Sequence, residues 1–252
     1  MHKVVRESSQ LGRARWCFNK NSALVVKTKG KYLTHMGYSD DGLRLFPEEA
    51  VFLSDRDEIE LISTEENEAE KVLSKLDIFG ILDSCGIDMK AYTVYAALKE
   101  QRFHVFRHGY WEAPKQELKN LKPPQVNQES FPLTSSSSTS SPKRIRTFDV
   151  EPVNNLIIAF DVYRPQASFS KHNIGKPDFW LMIFSADGNM PPINYFRNQF
   201  ESDKKLHLEG IPLRMCIVGD SSMTFVEVSA FDPKPAQSPH LNNDNVKDEC
   251  NE

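Results

Sequence analysis

The first 31 residues concentrate positive charge, which is the chemistry needed to bind phosphate groups. They contain eight lysines and arginines against Glu7 alone. Residues 40–70 follow with twelve acidic side chains against two arginines. A basic segment of this kind is typical of a surface that contacts nucleic-acid phosphates. The same pattern also fits two solvated surfaces of opposite sign that pair with each other. Charge alone favours this second interpretation, because short basic patches are common on soluble proteins.

The histidines and cysteines give no metal or disulfide signature. His104 and His108 have the HxxxH spacing that brings two ligands together on a helix, but their surroundings predict a strand and a turn, without an accompanying glutamate. The cysteines stand far apart and form no CxxC pair. They are Cys17, Cys85, Cys216 and Cys250. We therefore predict ordinary thiols, no metal site and no cofactor.

Composition predicts an intracellular chain that is folded only in part. Hydrophobic residues make up 39% of the 252 residues and mean hydropathy is -0.49, so a denser core is expected in the folded part. No stretch approaches the roughly 20 apolar residues that cross a bilayer. The N-terminal residues also lack the apolar run of a secretory signal.

Three helices are predicted before residue 101. Residues 47–53 begin the first, with a proline at the first helical position and acids in the first turn. Ser63 and Glu66 have capping-box spacing before a second helix. The predicted apolar face of that helix carries Val72, Leu76 and Phe79. A third helix begins near Asp88, and a strand over 103–106 follows it. Helix followed by a short strand or wing is common in small nucleic-acid-binding units.

A polar segment then separates this part from a β-rich one. Residues 112–152 hold six prolines and a serine-rich run, so we predict a disordered linker, because so little apolar surface cannot offset chain entropy. Its basic run at 142–146 resembles a weak nuclear-import signal, although such clusters are more often solvated charge. Later strands are predicted over 156–163, 179–184, 213–218 and 223–228. A short helix is predicted over 193–200, and a polar tail over 233–252.

The predicted fold class is α+β. We expect a helical and winged N-terminal part over 1–111, the disordered linker over 112–152 and a small α/β domain over 153–232. The tail over 233–252 completes the chain.

Three segments are distinctive in combination. The first joins a tryptophan, a lysine-glycine turn, a methionine-glycine pair and a Leu-x-Pro-Glu-Glu-Ala run, at Trp16, Lys29-Gly30-Lys31, Met36-Gly37 and 45–53. The second joins Tyr-x-Val-Tyr-x-x-Leu to a strand and an arginine, at 92–99, 103–105 and Arg107. The third places Phe-Asp-Val-Tyr ahead of Lys-Pro-Asp-Phe, at 160–163 and 176–179.

Together these segments resemble the non-catalytic 54-type subunit of the tRNA-splicing endonuclease. The first segment is the most specific, and the resemblance spans most of the chain expected to be ordered. Arg102-Phe103 stands where the family usually has Gly-Tyr, and Arg56-Asp57-Glu58 where it usually has Glu-Arg-Gly. These departures, together with a short central insertion, indicate a divergent member.

The resemblance implies a nuclear complex of two catalytic and two structural subunits that cleaves intron-containing pre-tRNA. It implies a nuclease-like C-terminal domain that docks on the larger catalytic subunit, with Asp220 as the candidate contact to the opposite dimer. The N-terminal part would face the pre-tRNA. Trp16 could stack on a base or lie in the core, and the core is favoured. The candidate phosphate-binding residues are Arg13, Arg15, Lys27, Lys29, Lys31 and Arg107. Cytoplasmic and organelle-surface locations stay open.

Endonucleases of this family cut with a tyrosine, a histidine and a lysine. Tyr163 stands where the family's tyrosine would be, although a structural aromatic is favoured for it. The histidine position directly before Phe179 holds Pro177-Asp178, and His172 lies in a polar loop. The lysine position, five residues before Cys216, is Ile211. The resemblance therefore implies a subunit without its own catalysis.

Lys204 and Lys205 precede the expected lysine position and are interpreted as surface charge. Two alternatives to the structural subunit remain. One is a stand-alone ribonuclease that uses Tyr163 and His172. The other is a protein-assembly adaptor that does not bind RNA.

Overall fold

The chain folds into two β-sheets and three α-helices within the residues that this computed structural model describes. These residues are 11–29, 32–63, 70–127, 157–166, 168–171, 173–188, 196 and 210–228. The predicted α+β class is confirmed. The predicted tail, the helix over 193–200 except for Phe196, and most of the linker lie outside the described residues.

The first sheet has six strands in the order β3-β4-β2-β1-β5-β6. Its strands are β1 (Gly12–Cys17), β2 (Ser22–Lys27), β3 (Tyr38–Ser39), β4 (Leu43–Leu45), β5 (Ile59–Ser63) and β6 (Lys71–Val72). β1 and β2 form an antiparallel hairpin, and β5 pairs with β1 in parallel. A parallel pair needs a crossover connection, which here runs through β2, β3, β4 and helix α1 (Pro47–Asp55).

The hairpin is the main difference from the predicted helical and winged N-terminal part. Burial alternates along β1, with Ala14 and Trp16 inside and Arg13 and Arg15 outside. This period of two is the period of a strand. Its inward side carries two small residues, Gly12 and Ala14, so the apolar signal is weak. The charged residues of this segment therefore dominate its sequence pattern, and the strand is not recognised from the sequence.

Helix α1 confirms the prediction for 47–53. Pro47 stands at its first position and Glu48 and Glu49 in its first turn. The Glu49 carboxylate accepts a hydrogen bond from the backbone N–H of Phe46 at 2.9 Å, which satisfies one of the donors left free at a helix start.

The second helix, α2 (Lys75–Ser84), begins later than predicted. Its N-cap is Ser74, whose hydroxyl accepts from Asp77 N while the Asp77 carboxylate accepts from Ser74 N. The capping box predicted from Ser63 and Glu66 is wrong, because Ser63 is the last residue of β5. Residues 64–69 lie outside the described residues.

The buried face of α2 also differs from the prediction. Ile78, Ile81 and Leu82 are buried, whereas Leu76 is 84% exposed. Val72 belongs to β6 and is exposed. The later start changes which apolar residues of the helix face inward. The third helix, α3 (Met89–Glu100), begins as predicted at Asp88, whose side chain accepts from Lys90 N.

The second sheet has five strands in the order β11-β10-β9-β8-β7. They are β7 (His104–Arg107), β8 (Phe160–Tyr163), β9 (Phe179–Ser185), β10 (Leu213–Val218) and β11 (Met223–Val228). β9 and β10 are parallel, and the other neighbours are antiparallel. The predicted C-terminal strands are confirmed, although β8 is shorter than predicted.

The predicted boundary at residue 111 differs from the structure. β7, expected in the N-terminal part, pairs with β8, so the chain enters the second sheet at His104. Both sheets also share one apolar core, which extends from Trp16 through α1 and α3 to Phe160 and Cys216. No helix in the described part is long and apolar enough to span a membrane.

The predicted linker likewise begins later than residue 112. Leu118 and Val126 are buried, and a short 3₁₀ helix spans Leu118–Asn120. The backbone N–H of Asn127 donates to Ile183 O at 2.8 Å, which joins this segment to β9 by a single bridge beyond the residues that β8 pairs. The prolines of this segment remove backbone donors but do not prevent its few apolar side chains from packing.

Candidate nucleic-acid interface

The outer face of the hairpin carries the two arginines predicted to bind phosphates. Arg13 and Arg15 project from alternate positions of β1, and each side chain is 40% exposed. Arg13 lies opposite Lys27 on β2 and opposite Glu60 on β5. The sheet register therefore places both charge signs next to Arg13.

Both arginines are paired with acidic residues. Arg13 Nε and Nη2 donate to Glu60 Oε2 at 2.9 and 2.7 Å. Arg15 Nη2 donates to Glu70 Oε1 at 2.8 Å. Lys20 likewise lies 3.4 Å from Asp40 Oδ2. For these residues the structure confirms the interpretation that the basic and acidic segments pair with each other.

The other basic residues of this region lie in different surroundings. Lys27 ends β2 and Lys29 follows it, and both are exposed. Lys31 lies outside the described residues. Trp16 is buried in the core, as favoured from the sequence, so its ring is not presented for stacking on a base. Lys27 and Lys29 are thus exposed on the same hairpin as Arg13 and Arg15.

Arg107 is not on this surface. Its Nε and Nη2 donate to the two carboxylate oxygens of Glu48 at 2.7 and 2.8 Å, and its Nη1 donates to Leu121 O at 2.9 Å. The guanidinium also stacks over the Phe46 ring at 4.3 Å. Arg107 is therefore a buried structural residue, and we leave it out of the candidate RNA-binding set.

Three charged side chains and one backbone N–H form a buried cluster that we call the α1 junction. Its residues are Gly37, Glu48, Glu49 and Arg107. The backbone N–H of Gly37 donates to both Glu49 carboxylate oxygens, at 2.9 and 3.0 Å. Glu48 binds Arg107, which links α1 to the second sheet. Only glycine fits at position 37, because its φ is +74° and an added Cβ would lie 2.3 Å from Arg44 O.

The electrostatics of the junction reflect its burial. Burial raises the pKa of the Glu49 carboxyl, while the hydrogen bond from Gly37 opposes this rise. Burial also lowers the pKa of Lys99 to about 8, and the charge of Glu49 opposes that shift. Buried charges of this kind are retained only where they are paired. The Pro-Glu-Glu run and the Met-Gly pair therefore serve the fold.

The second sheet holds the candidate tyrosine in a closed setting. Tyr163 is buried, its hydroxyl donates to Gly175 O at 3.0 Å, and burial raises its pKa above the ordinary value. The position before Phe179 carries Asp178, whose carboxylate accepts from Arg164 N at 2.8 Å. His172, Lys204 and Lys205 lie outside the described residues.

The position assigned to a catalytic lysine is apolar. Ile211 is buried in a cluster with Trp180 and Leu213. Cys216, from which that position is counted, is fully buried, and burial raises its pKa to about 12. Neither side chain can donate a proton to a phosphate or stabilise its charge.

Sequence reasoning missed a histidine–aspartate pair beside the second sheet. His108 Nδ1 lies 2.8 Å from Asp161 Oδ1, and Gly109 N donates to Asp161 Oδ2 at 3.0 Å. Burial raises the pKa of Asp161, and the hydrogen bond with His108 opposes the shift. The two residues are 53 positions apart, so no local spacing could reveal them. His104 instead stacks on Phe169, with ring centres 3.8 Å apart. Among the described residues no three acidic, histidine or cysteine side chains group as metal ligands would.

Asp220, the candidate partner contact, is exposed in the turn between β10 and β11. Lys90 lies near this turn, and its ammonium donates to Asp187 Oδ2 at 2.7 Å. That hydrogen bond raises the pKa of Lys90, with a smaller contribution from the charge of Asp220. Asp220 is therefore accessible, but its charge already acts on a cation of its own chain.

Comparison with known families gives a match in the N-terminal region. Residues 2–63 match the family described as tRNA-splicing endonuclease subunit sen54 N-term. We call these matched residues the Sen54-type region. The match ends where β5 ends and includes Gly37, Glu48 and Glu49 of the α1 junction. The match confirms the resemblance for the first of the three segments, whereas the second and third, at 92–107 and 160–179, lie outside it. No curated protein matches the chain. Within the Sen54-type region, the motif residues Gly37, Glu48 and Glu49 are buried.

Proposed function

We propose that this chain is a non-catalytic structural subunit of a tRNA-splicing endonuclease, which supports recognition and cleavage of intron-containing pre-tRNA at the splice sites. The observation that carries the proposal is the Sen54-type match over residues 2–63. A subunit of this kind associates with the other subunits of the endonuclease. The match rests on a region whose motif residues are committed to packing rather than to chemistry.

The setting of Tyr163 supports the absence of catalysis. A general base needs an accessible group with a pKa near the working pH. The Tyr163 hydroxyl instead donates to a backbone carbonyl, and burial raises its pKa. Pro177 and Asp178 occupy the histidine position, and Ile211 the lysine position. A tyrosine without a proton donor or a phosphate clamp does not cleave RNA.

The outer edge of the second sheet supports docking on a partner subunit. β11 is paired on one side by β10 and lies at the end of the described sheet order. Met223, Phe225 and Val226 on this strand are each more than a third exposed. An exposed apolar edge strand favours strand addition by another chain. We assign this edge to the catalytic subunit and Asp220, in the preceding turn, to the opposite half of a heterotetramer.

The hairpin is the proposed contact with the body of the pre-tRNA. RNA helices are read mostly through shape and backbone, so exposed cations without base-specific motifs are sufficient. Lys27 and Lys29 lie on the exposed surface of the hairpin, and Lys31 belongs to the same proposed set. Arg13 and Arg15 would exchange their carboxylate partners for phosphates, which lowers the net gain from each contact. The proposed location is the nucleus, where such pre-tRNA is processed.

Co-purification tests the partner assignment. Tagged full-length chain is purified from the cells that express it, and the purified material is probed for a catalytic endonuclease subunit. We expect that subunit with the wild type, and its loss with Phe225→Lys, because a lysine on an edge strand opposes strand addition.

Leu76→Lys is the matched control. Leu76 is an apolar residue 84% exposed on α2, away from the second sheet, and its replacement is expected to leave co-purification unchanged. Absence of any catalytic endonuclease subunit with the wild-type chain would contradict the proposed function. Equal recovery with Phe225→Lys would contradict the docking assignment alone.

A further inference from the structure

A cavity of about 330 Å³ lies where the first sheet meets the loops that flank the second. Six of its lining residues carry the argument: Tyr38, Tyr110, Trp111, Lys115, Lys171 and Asn173. The volume is near the lower end of the roughly 300–1,000 Å³ of small-ligand pockets. It is too small for a protein helix about 10 Å across. The cavity thus suits a single small molecule or one unit of a polymer.

The walls of the cavity are held in place by contacts behind them. Tyr38 packs on Phe46, with ring centres 4.7 Å apart, and Tyr110 packs on Phe106 at 4.5 Å. The Tyr110 hydroxyl also donates to Gly37 O at 2.9 Å. These contacts hold both rings in place, and because Tyr38 and Tyr110 are only 4% and 7% exposed they present little surface to the cavity. Trp111, which is half-buried, is the aromatic residue that remains partly accessible there.

The charge of the cavity lining has one sign. It contains Lys115 and Lys171 and no acidic residue. Lys115 is exposed at the mouth, whereas Lys171 is partly buried and donates to Met36 O at 2.6 Å and Gly37 O at 3.5 Å. An ammonium has three donors, so one N–H of Lys171 remains for a ligand. An anionic group is the complement of such a lining.

Trp111 supplies a further polar group. Its indole N–H is buried and has no acceptor among the described residues. A buried donor without an acceptor costs free energy, and a ligand oxygen or ring nitrogen would remove that cost. Asn173 adds an amide that both donates and accepts.

We propose that this cavity binds one nucleotide, with its base beside Trp111 and its phosphate at Lys115. Aromatic side chains beside lysines are the general means by which proteins hold an unstacked base and its phosphate. The nucleotide can be an unpaired residue of an RNA or a free mononucleotide. The first source rests on the proposed function, while the second does not.

Direct binding measurements on the full-length chain test the cavity. Adenosine monophosphate, adenosine and inorganic phosphate are titrated separately by calorimetry. We expect the monophosphate to bind at least tenfold more tightly than either half of the molecule. Lys115→Glu is expected to weaken its binding at least tenfold, because the phosphate then meets a carboxylate.

Lys122→Glu is the matched control. It makes the same charge change in the same segment at an exposed position that does not line the cavity, and the affinity should stay within twofold of the wild type. The proposal is overturned by no detectable binding of the monophosphate at millimolar concentration. Equal weakening by Lys115→Glu and Lys122→Glu would overturn it too.

A competition experiment separates the two sources of the nucleotide. Labelled intron-containing pre-tRNA is bound to the chain, and adenosine monophosphate is added. Displacement of the RNA, together with weaker RNA binding by Lys115→Glu, assigns the cavity to an RNA nucleotide. Binding of the monophosphate without displacement assigns it to a free nucleotide. Co-purification of a catalytic subunit does not depend on either result, so failure of this inference and failure of the proposed function are distinguishable.

Discussion

The α1 junction and the β1–β2 hairpin both contain residues of the Sen54-type region, and their arginine–glutamate pairs have opposite surroundings. Arg107 of the junction lies outside that region, on β7. Arg107 and Glu48 are both less than a tenth exposed and meet through two short hydrogen bonds. Arg13 and Glu60 also meet through two short bonds, but the Arg13 side chain is 40% exposed. Similar pair geometry therefore supports the fold in one place and leaves a surface available in the other.

The residues that identify the family differ from the residues proposed to contact RNA. Gly37, Glu48 and Glu49 belong to the recognisable motif and are buried. Among the cations predicted to bind RNA, those on the hairpin lie at the surface and are not required for packing in the same way, whereas Arg107 is buried. A family match at this motif is thus evidence for the fold of the region, and the RNA contact needs evidence of its own.

The largest expected effect comes from breaking the buried pair. Arg107→Met leaves the Glu48 carboxylate buried without its partner, and we expect the free energy of unfolding to fall by about 3–5 kcal/mol. Arg13→Met removes an exposed pair and should cost less than about 1 kcal/mol. Urea unfolding of the two variants measures both values. Equal losses would contradict the contrast between the two regions.

A smaller but still large effect is expected at Gly37. Gly37→Ala places a Cβ 2.3 Å from Arg44 O in a backbone with φ of +74°, so we expect a loss of about 2–4 kcal/mol. Gly86→Ala is the matched control, because Gly86 has φ of +68° but no atom within 4 Å of the added Cβ. It should cost about 1 kcal/mol, the strain of an alanine in the left-handed region. Thermal unfolding distinguishes strain from steric overlap, and similar shifts in Tm would argue against the close approach at Gly37.

A buried histidine on β7, the strand that carries Arg107, predicts that the free energy of unfolding depends on pH. Burial lowers the pKa of His104 to about 4, whereas an unfolded histidine titrates near about 6.5. Between these values the unfolded chain binds more protons, so the free energy of unfolding decreases as the pH falls. The slope is at most about 1.4 kcal/mol per pH unit. The contribution is fully present above about pH 6.5.

His104→Phe provides the control for this slope. It keeps the stacking on Phe169 but removes the titration. Urea unfolding at pH 7 and pH 5 should therefore show a smaller difference for the variant than for the wild type. An unchanged difference would mean that His104 is not the titrating group.

The smallest effect is expected on the hairpin. Lys27→Gln with Lys29→Gln should weaken pre-tRNA binding only a few-fold, because each exposed contact contributes little. The slope of log affinity against log salt should decrease by about 1–2. Filter binding at several salt concentrations measures this slope, with Lys122→Gln as a control outside the hairpin. An unchanged slope would remove the hairpin from the proposed RNA contact.

Local chemistry made α1, α3 and the C-terminal strands predictable. Pro47 with its acids, Asp88 as a cap and the apolar run 179–184 each carry their signal within a few residues. The hairpin escaped prediction because its inward residues Gly12 and Ala14 are small. The capping box was misplaced because Ser63 and Ser74 both precede an acidic residue three positions on, and only packing chooses between them.

The candidate site was predictable only in part, because its important contacts join distant residues. Arg107 was expected on an RNA-binding surface, since no local pattern shows that Glu48 lies 59 positions away in the same buried pair. Lys171 reaches Met36 across 135 positions. Long-range pairing of this kind follows from the sheet order and the shared core, neither of which the sequence states locally.

The proposed non-catalytic role is tested most directly by comparing pre-tRNA cleavage by the isolated chain with cleavage by its complex. The tagged chain is prepared once alone and once as the complex that it brings from its own cells, and both are given the same intron-containing pre-tRNA. We expect cleavage at both splice sites by the complex and none by the chain alone. Site-specific cleavage by the chain alone, or a complex without endonuclease activity, would contradict it.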